Sequence, residues 1–164
     1  MVTVTQNGNA LQHAPPKLMT QRPDICLAAV TQDGNALQFT YQTPELCLAA
    51  VEQNGLVLRH VAFTYQTPEL CLAAVTQNGH ALQYVKPELR TPELCLAAVM
   101  LHGEALRYVK PELQTPNLCL AAVAQHGNAL QYVEPPELRT PELCPRCRRE
   151  RLKRATFRTL STLD

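Results

Sequence analysis

Apolar residues come in blocks along this chain, and the blocks return at a fixed interval. In "TPELCLAAVMLHGEALRYVKPELQ", from Thr91 to Gln114, an almost wholly apolar run covers Leu94 to Leu101, and a sparser set at Ala105, Leu106 and Val109 follows Gly103. The first run predicts a helix of about eleven residues. Thr91 can cap its free N–H groups, Pro92 suits a first position that needs no donor, and Glu93 complements the positive helix end. Glu93 falls one position too early for a reciprocal capping box. Gly103 is read as the left-handed residue that closes the helix, and the all-round apolar character as that of a buried helix.

The second set predicts a short helix with Ala105, Leu106 and Val109 on one side, stopped by the Lys110-Pro111 step because the residue before proline is pushed out of the helical region. A single turn at Pro111 to Leu113 then leads to the next Thr-Pro. Cys26, Cys47, Cys71, Cys95, Cys119 and Cys144 repeat at spacings of 21, 24, 24, 24 and 25 residues, and Gly8, Gly34, Gly55, Gly79, Gly103 and Gly127 keep the same rhythm. Departures sit at the joins: "NALQFTYQTPE" after Gly34 is three residues short, and extra residues enter near Thr20 and Pro135. Indels confined to joins place loops there.

One unit cannot bury both faces of its apolar helix, but stacked units can. The expected fold is therefore all-α: a right-angled or curved helical-repeat solenoid of about six units of 24 residues, each a long helix, a short helix and a turn. The competing architecture is a leucine-rich-repeat-like solenoid, whose period also admits 24. That repeat needs L-x-x-L-x-L-x-x-N, whereas Leu72 is followed by "AAVTQN", which brings Asn78 three positions late.

The recurring elements Ala-Ala-Val, Asn-Gly, Ala-Leu and Glu-Leu of "LAAVxQNGxALQYVxPELR" resemble an uncharacterised repeat family of bacterial and protist proteins, a domain of unknown function. The resemblance covers about residues 2–143 and implies a repeat fold without lending an activity, a cofactor or a catalytic residue. Leu101 and His102 depart from it, standing where Gln and Asn usually do, and so does the short join after Gly34.

Composition divides the chain in two. Residues 1–143 hold 8 Lys/Arg against 12 Asp/Glu, while 144–164 hold 7 against 2. The expected organisation is a helical array over 1–143, its first unit truncated because "MVTVTQNGNALQ" aligns inside a helix lacking its Thr-Pro start, and a basic non-repeat tail over 144–164. The chain can equally be a fragment of a larger repeat protein, and uncapped ends favour self-association. With no apolar run near 18 residues and no basic-then-apolar leader, the chain reads as soluble and cytoplasmic, without a membrane span.

Candidate chemistry adds little to this. Equivalent positions on stacked helices lie about 8 to 10 Å apart, whereas a disulfide needs Cα atoms within about 7 Å and a zinc site gathers four ligands around one point. The repeat cysteines thus read as small buried hydrophobes, with no neighbouring base to activate a thiol. "CPRC" at Cys144 to Cys147 is half a zinc site at most and continues the repeat register. His13, His60, His80, His102 and His126 mark helix ends, where they can meet water or cap carbonyls. No catalytic residue, cofactor or metal is expected, and the chain reads as a non-enzyme.

What remains is surface. Arg59, Gln83, Arg107 and Gln131 form one candidate ladder, with Gln38 before them, and Tyr84, Tyr108 and Tyr132 form a parallel one, suited to gripping an unknown protein partner. The alternative is nucleic-acid or anionic-surface binding through the basic patch 146–158, carried by Arg146, Arg148, Arg149, Arg151, Lys153, Arg154 and Arg158.

Overall fold

The computed structural model describes residues 8–13, 15, 22–134 and 136–139. Most of these residues are helical and, among them, no strand occurs, which removes the leucine-rich-repeat alternative. Five α-helices recur: α1 (Pro23–Gln32), α2 (Pro44–Gln53), α3 (Pro68–Gln77), α4 (Pro92–Leu101) and α5 (Pro116–Gln125). Each is ten residues long and begins at proline, and from α2 onward the preceding threonine hydroxyl accepts the N–H of the third helical residue, at 3.3 Å for Thr91 and Leu94. Such a cap stabilises a helix by about 1 kcal/mol. At α1 the place of threonine is taken by Arg22, whose guanidinium lies 2.7 Å from Asp24 and holds that carboxyl below its ordinary range.

After each α-helix comes a 3₁₀ helix of six residues: Gly34–Phe39, Gly55–His60, Gly79–Tyr84, Gly103–Tyr108 and Gly127–Tyr132, with Gly8–His13 ahead of them. Three-residue 3₁₀ turns at Phe63–Tyr65, Pro87–Leu89 and Pro111–Leu113 complete the units; the three-residue deletion after Gly34 removes this turn from its unit. Close packing runs only between elements of the same or the next unit, α-helix to α-helix and 3₁₀ helix to 3₁₀ helix, so the array is a solenoid. Its core repeats in each unit as Leu94, Cys95, Ala98 and Val99 from the α-helix and Ala105, Leu106 and Val109 from the second half.

Two sequence expectations are corrected here. First, no described glycine has positive φ. The α-helix is closed by Asp33, Asn54, Asn78, His102 or His126 in extended conformation, and the glycine after it opens the 3₁₀ helix. Glycine is required because the next unit comes too close. A Cβ on Gly79 would lie 2.4 Å from the carbonyl oxygen of Ala98, and the same clash meets Gly55 with Ala74 and Gly103 with Ala122, while Gly127 has open space. Second, the apolar helices are buried on one side only. Leu27, Leu48, Leu72, Leu96 and Leu120, the residues after each cysteine, are 39 to 49% exposed.

The joins hold units together through side chains to which the sequence pattern assigns no role. The Gln66 amide, buried with 3% exposure, donates to the Tyr84 carbonyl at 2.9 Å and accepts from the Lys86 N–H at 2.9 Å, spanning to the next unit. Gln42 bridges His60 and Ala62, and Gln114 bridges Tyr132 and Glu134, in the same way. Arg90 occupies this place in its unit and donates to Tyr108, Val85 and Gln83 carbonyls, but a guanidinium has no acceptor to offer Lys110.

Gly79→Ala is expected to destabilise the protein by at least about 2 kcal/mol in urea unfolding, because a backbone carbonyl cannot step aside, whereas Gly127→Ala is expected to stay within about 0.5 kcal/mol of the parent. Gln66→Leu, which keeps the volume but strands a carbonyl and an N–H, is expected to cost about 1 to 3 kcal/mol in the same measurement.

Candidate functional site

The six-residue 3₁₀ helices starting at Gly34, Gly55, Gly79 and Gly103 each turn three buried residues inward and leave their last two positions at the rim. Arg107 and Tyr108 therefore sit side by side, the first exposed and the second half-buried against the core. The 3₁₀ helices stack in register, so the equivalent tyrosine of the next unit falls within reach. The Arg107 guanidinium lies 5.0 Å from the Tyr108 ring centre and 5.8 Å from that of Tyr132. An arginine over aromatic faces gains about 0.5 to 1 kcal/mol at an exposed site and is held flat. Tyr84 is likewise half-buried, Gln131 and Gln38 are exposed, and Gln83 is drawn inward, its amide donating to His80 at 3.0 Å and its carbonyl accepting from Arg90. Arg59 is exposed and donates to His60 Nε2 at 2.8 Å. The ladder forms one face, but its members are not alike.

Between the α2 and α3 units this face opens into a depression of about 250 Å³ walled by Arg59, Gln83, Tyr84, Lys86 and Arg90, with Phe63 beside it. Phe63 stands where later units carry Pro87 and Pro111, and is 66% exposed. Three cations and an exposed aromatic ring thus line one recess, the ring supplied by a join that reads "AFTYQ" at 62–66 where the next unit reads "KPELR".

The cysteines are packing residues. Cys47, Cys71, Cys95 and Cys119 are fully buried free thiols, and Cys26 is buried as well. A thiol in the first turns of a helix is ordinarily made more acidic by the helix end. Here burial dominates and, with the neighbouring glutamate adding to it, pushes Cys47 up to about 11; burial does the same at Cys71 and Cys95, against small opposing effects of Lys86 and Arg90. Among the described residues no group of three or more His, Cys, Asp or Glu side chains is arranged to hold a metal ion.

His102 and His126 close α4 and α5, His13 and His60 end 3₁₀ helices, His80 stands second in one, and one of them works differently from expectation. His102 accepts, through Nδ1, the N–H of Gly79 in the preceding unit at 3.2 Å, instead of capping carbonyls, and its ring lies 4.5 Å from that of His80. Burial, then the neighbouring His102, holds His80 below its ordinary range. In α3 the same place is held by Asn78, whose side chain accepts from His80 N–H at 3.0 Å. His126 Nδ1 lies 3.6 Å from Glu104.

The basic patch of Arg146, Arg148, Arg149, Arg151, Lys153, Arg154 and Arg158, the Cys144–Cys147 pair, the array boundary at 143 and the truncated start of the first unit lie outside the described residues. No described helix is long and apolar enough to cross a membrane.

A chain of like units, each stacking its helix on its neighbours, is an all-α helical-repeat solenoid. The family model described as "Domain of unknown function (DUF4116)" matches residues 2–43, 43–90, 67–114 and 91–139, and the chain belongs to that family. No curated protein and no solved structure matches it.

The raised thiols make stability depend on alkali. A thiol whose folded pKa lies above its unfolded value contributes stability that is complete below the ordinary value of 9.0 and is lost as the pH rises through about 11. Urea midpoints are expected to hold from pH 7 to 8.5 and fall between about pH 9 and 11. The fall should be shallower in Cys47→Ala/Cys71→Ala/Cys95→Ala. Mass-mapped iodoacetamide labelling of these three thiols at pH 8 is expected only after denaturation, since the native thiolate fraction is roughly one in a thousand.

Proposed function

We propose that the chain is a non-catalytic repeat scaffold that holds a protein partner on the face carrying Arg59, Gln83, Arg107 and Gln131 with Tyr84, Tyr108 and Tyr132. The observation that carries this reading is the recess between the α2 and α3 units, where Arg59, Lys86 and Arg90 surround an opening flanked by the exposed Phe63 ring. A rigid aromatic anchor beside cations suits an extended segment that offers an apolar side chain and carboxylates. The rest of the ladder repeats a cation or amide at each step of the stack, which suits an extended ligand better than a compact one. Cytoplasmic placement and absence of catalysis are part of the same proposal. So is self-association through the repeat ends.

Panning a random-peptide library on the purified, nuclease-treated protein, followed by fluorescence anisotropy of the recovered peptides, tests the reading. Acidic peptides with one or more aromatic or aliphatic anchors are expected, and Phe63→Ser or Arg59→Glu should weaken them at least about tenfold. Peptides indifferent to both substitutions would sink the proposal. So would a preparation that selects no peptide but binds single-stranded nucleic acid through 146–158, the competing reading.

A further inference from the structure

The outer side of the α-helices carries a surface that the ladder face does not use. On each helix the second residue, the fifth and the ninth lie on one side, because these spacings bring residues back to the same face of an α-helix. On α2 these are Glu45, Leu48 and Glu52; on α3, Glu69, Leu72 and Thr76; on α4, Glu93, Leu96 and Met100. All nine are exposed. Stacking turns them into rows: a row of leucines from Leu27 to Leu120, and beside it a row of carboxylates, Asp24, Glu45, Glu69 and Glu93. Met100 and Leu101, at 58% and 48% exposure, widen the apolar strip on α4.

Charge on this side is of one sign. Of the described cations, Arg59, Lys86, Arg90, Arg107, Lys110 and Arg139 belong to the 3₁₀ helices and joins, and only Arg22, paired with Asp24, stands at the α-helical side. Glu45, Glu52, Glu69 and Glu93 have no ion pair among the described residues. An exposed strip of leucines in register, edged by uncompensated carboxylates, fits an occupant with apolar residues between cations.

The chain itself contains such a segment. Residues 146–160 carry seven Lys/Arg together with Leu152, Ala155, Phe157 and Leu160, and leave the described array at Arg139. Arg139 binds the Val133 carbonyl at 2.7 Å, as Arg90 binds Val85. In the earlier units the equivalent Gln42, Gln66, Arg90 and Gln114 are followed at once by Thr-Pro and the helix end that, on α2 to α4, bears the glutamate row. The chain therefore leaves the array at the acidic edge. Arg139 lies one unit past the start of α5, so α4 and α3 are two and three interaxial steps of about 8 to 10 Å away, and the fourteen residues from 139 to 153 span up to about 46 Å, which puts both helices within reach of Lys153. We propose that residues 146–160 dock on the leucine and glutamate rows of α3 and α4 of their own chain, setting their cations against Glu69 and Glu93.

Lys153 is the single lysine of this segment, which makes the contact readable. Zero-length carbodiimide coupling of the full chain, mapped by mass spectrometry, is expected to join Lys153 to Glu69 or Glu93 at low salt and to lose the product at high salt. In an equal mixture of ¹⁵N-labelled and unlabelled protein the coupled peptides should be wholly heavy or wholly light. Leu72→Gln/Leu96→Gln alters exposed positions only, and circular dichroism would confirm its fold. It is expected to raise the rate of tryptic cleavage within 146–158 at least about fivefold, as Lys153→Glu/Arg154→Glu should at the remaining sites. The proposal fails if Lys153 couples instead to Glu104, Glu112 or Glu134 on the joins, if mixed heavy–light products dominate, or if cleavage ignores the leucine substitutions. Protection of the segment by added RNA or anionic vesicles, but not by the array, would overturn it in favour of an external polyanion.

Discussion

The stack depends on how closely one unit can approach the next. At Gly55, Gly79 and Gly103 the carbonyl of an alanine from the following α-helix occupies the space in which any side chain would begin. That approach seats the 3₁₀ helices in register and brings Ala98 and Val99 onto Ala81 and Leu82 with no exposed area left between them. Small residues at the crossing and leucine or valine around it are two halves of the same arrangement, since close backbones leave little volume for bulkier cores. The buried thiols belong to it as well, filling the same hole at each step while burial keeps them protonated.

Stacking also accounts for the hydrogen bonds at the joins. A 3₁₀ helix leaves its last carbonyls without a helical partner, and the first N–H of the following turn is equally free. Gln42, Gln66 and Gln114 answer both needs with one amide, which a neighbouring unit must deliver at the right height. The short join after Gly34 keeps this bridge although it lacks the extra turn, and where Arg90 replaces the amide the bond to the next unit's tyrosine carbonyl is what remains.

Two faces result, with different chemistry. The 3₁₀ face carries the cations, the tyrosine rims and the recess beside Phe63, while the outer α-helical face carries leucines and carboxylates. The outer α-helical face carries an excess of negative charge, while on the 3₁₀ side and the joins the cations are mixed with Glu88, Glu104, Glu112, Glu134 and Glu137. The reading of the first face as a protein-binding surface rests on the local recess, and that of the second as the seat of residues 146–160 on its unbalanced carboxylates.

Period, helix type and helix starts were legible in the sequence because they rest on local chemistry: threonine caps, proline at the first position, and apolar runs of fixed spacing act within a few residues. That equivalent positions of successive units recur along one side was legible too, since stacked repeats require it. Three matters were decided only by the packed array. The glycines looked like helix terminators because a single unit offers no other reason for them, and their crowding comes entirely from the next unit. The leucine of "CLAAV" looked buried because its helix is apolar all round, yet in a single row of α-helices the side away from the 3₁₀ helices faces outward. Gln66 and Arg90 looked like loop residues because their partners lie eighteen residues away, in the next unit, a distance at which no local pattern can point.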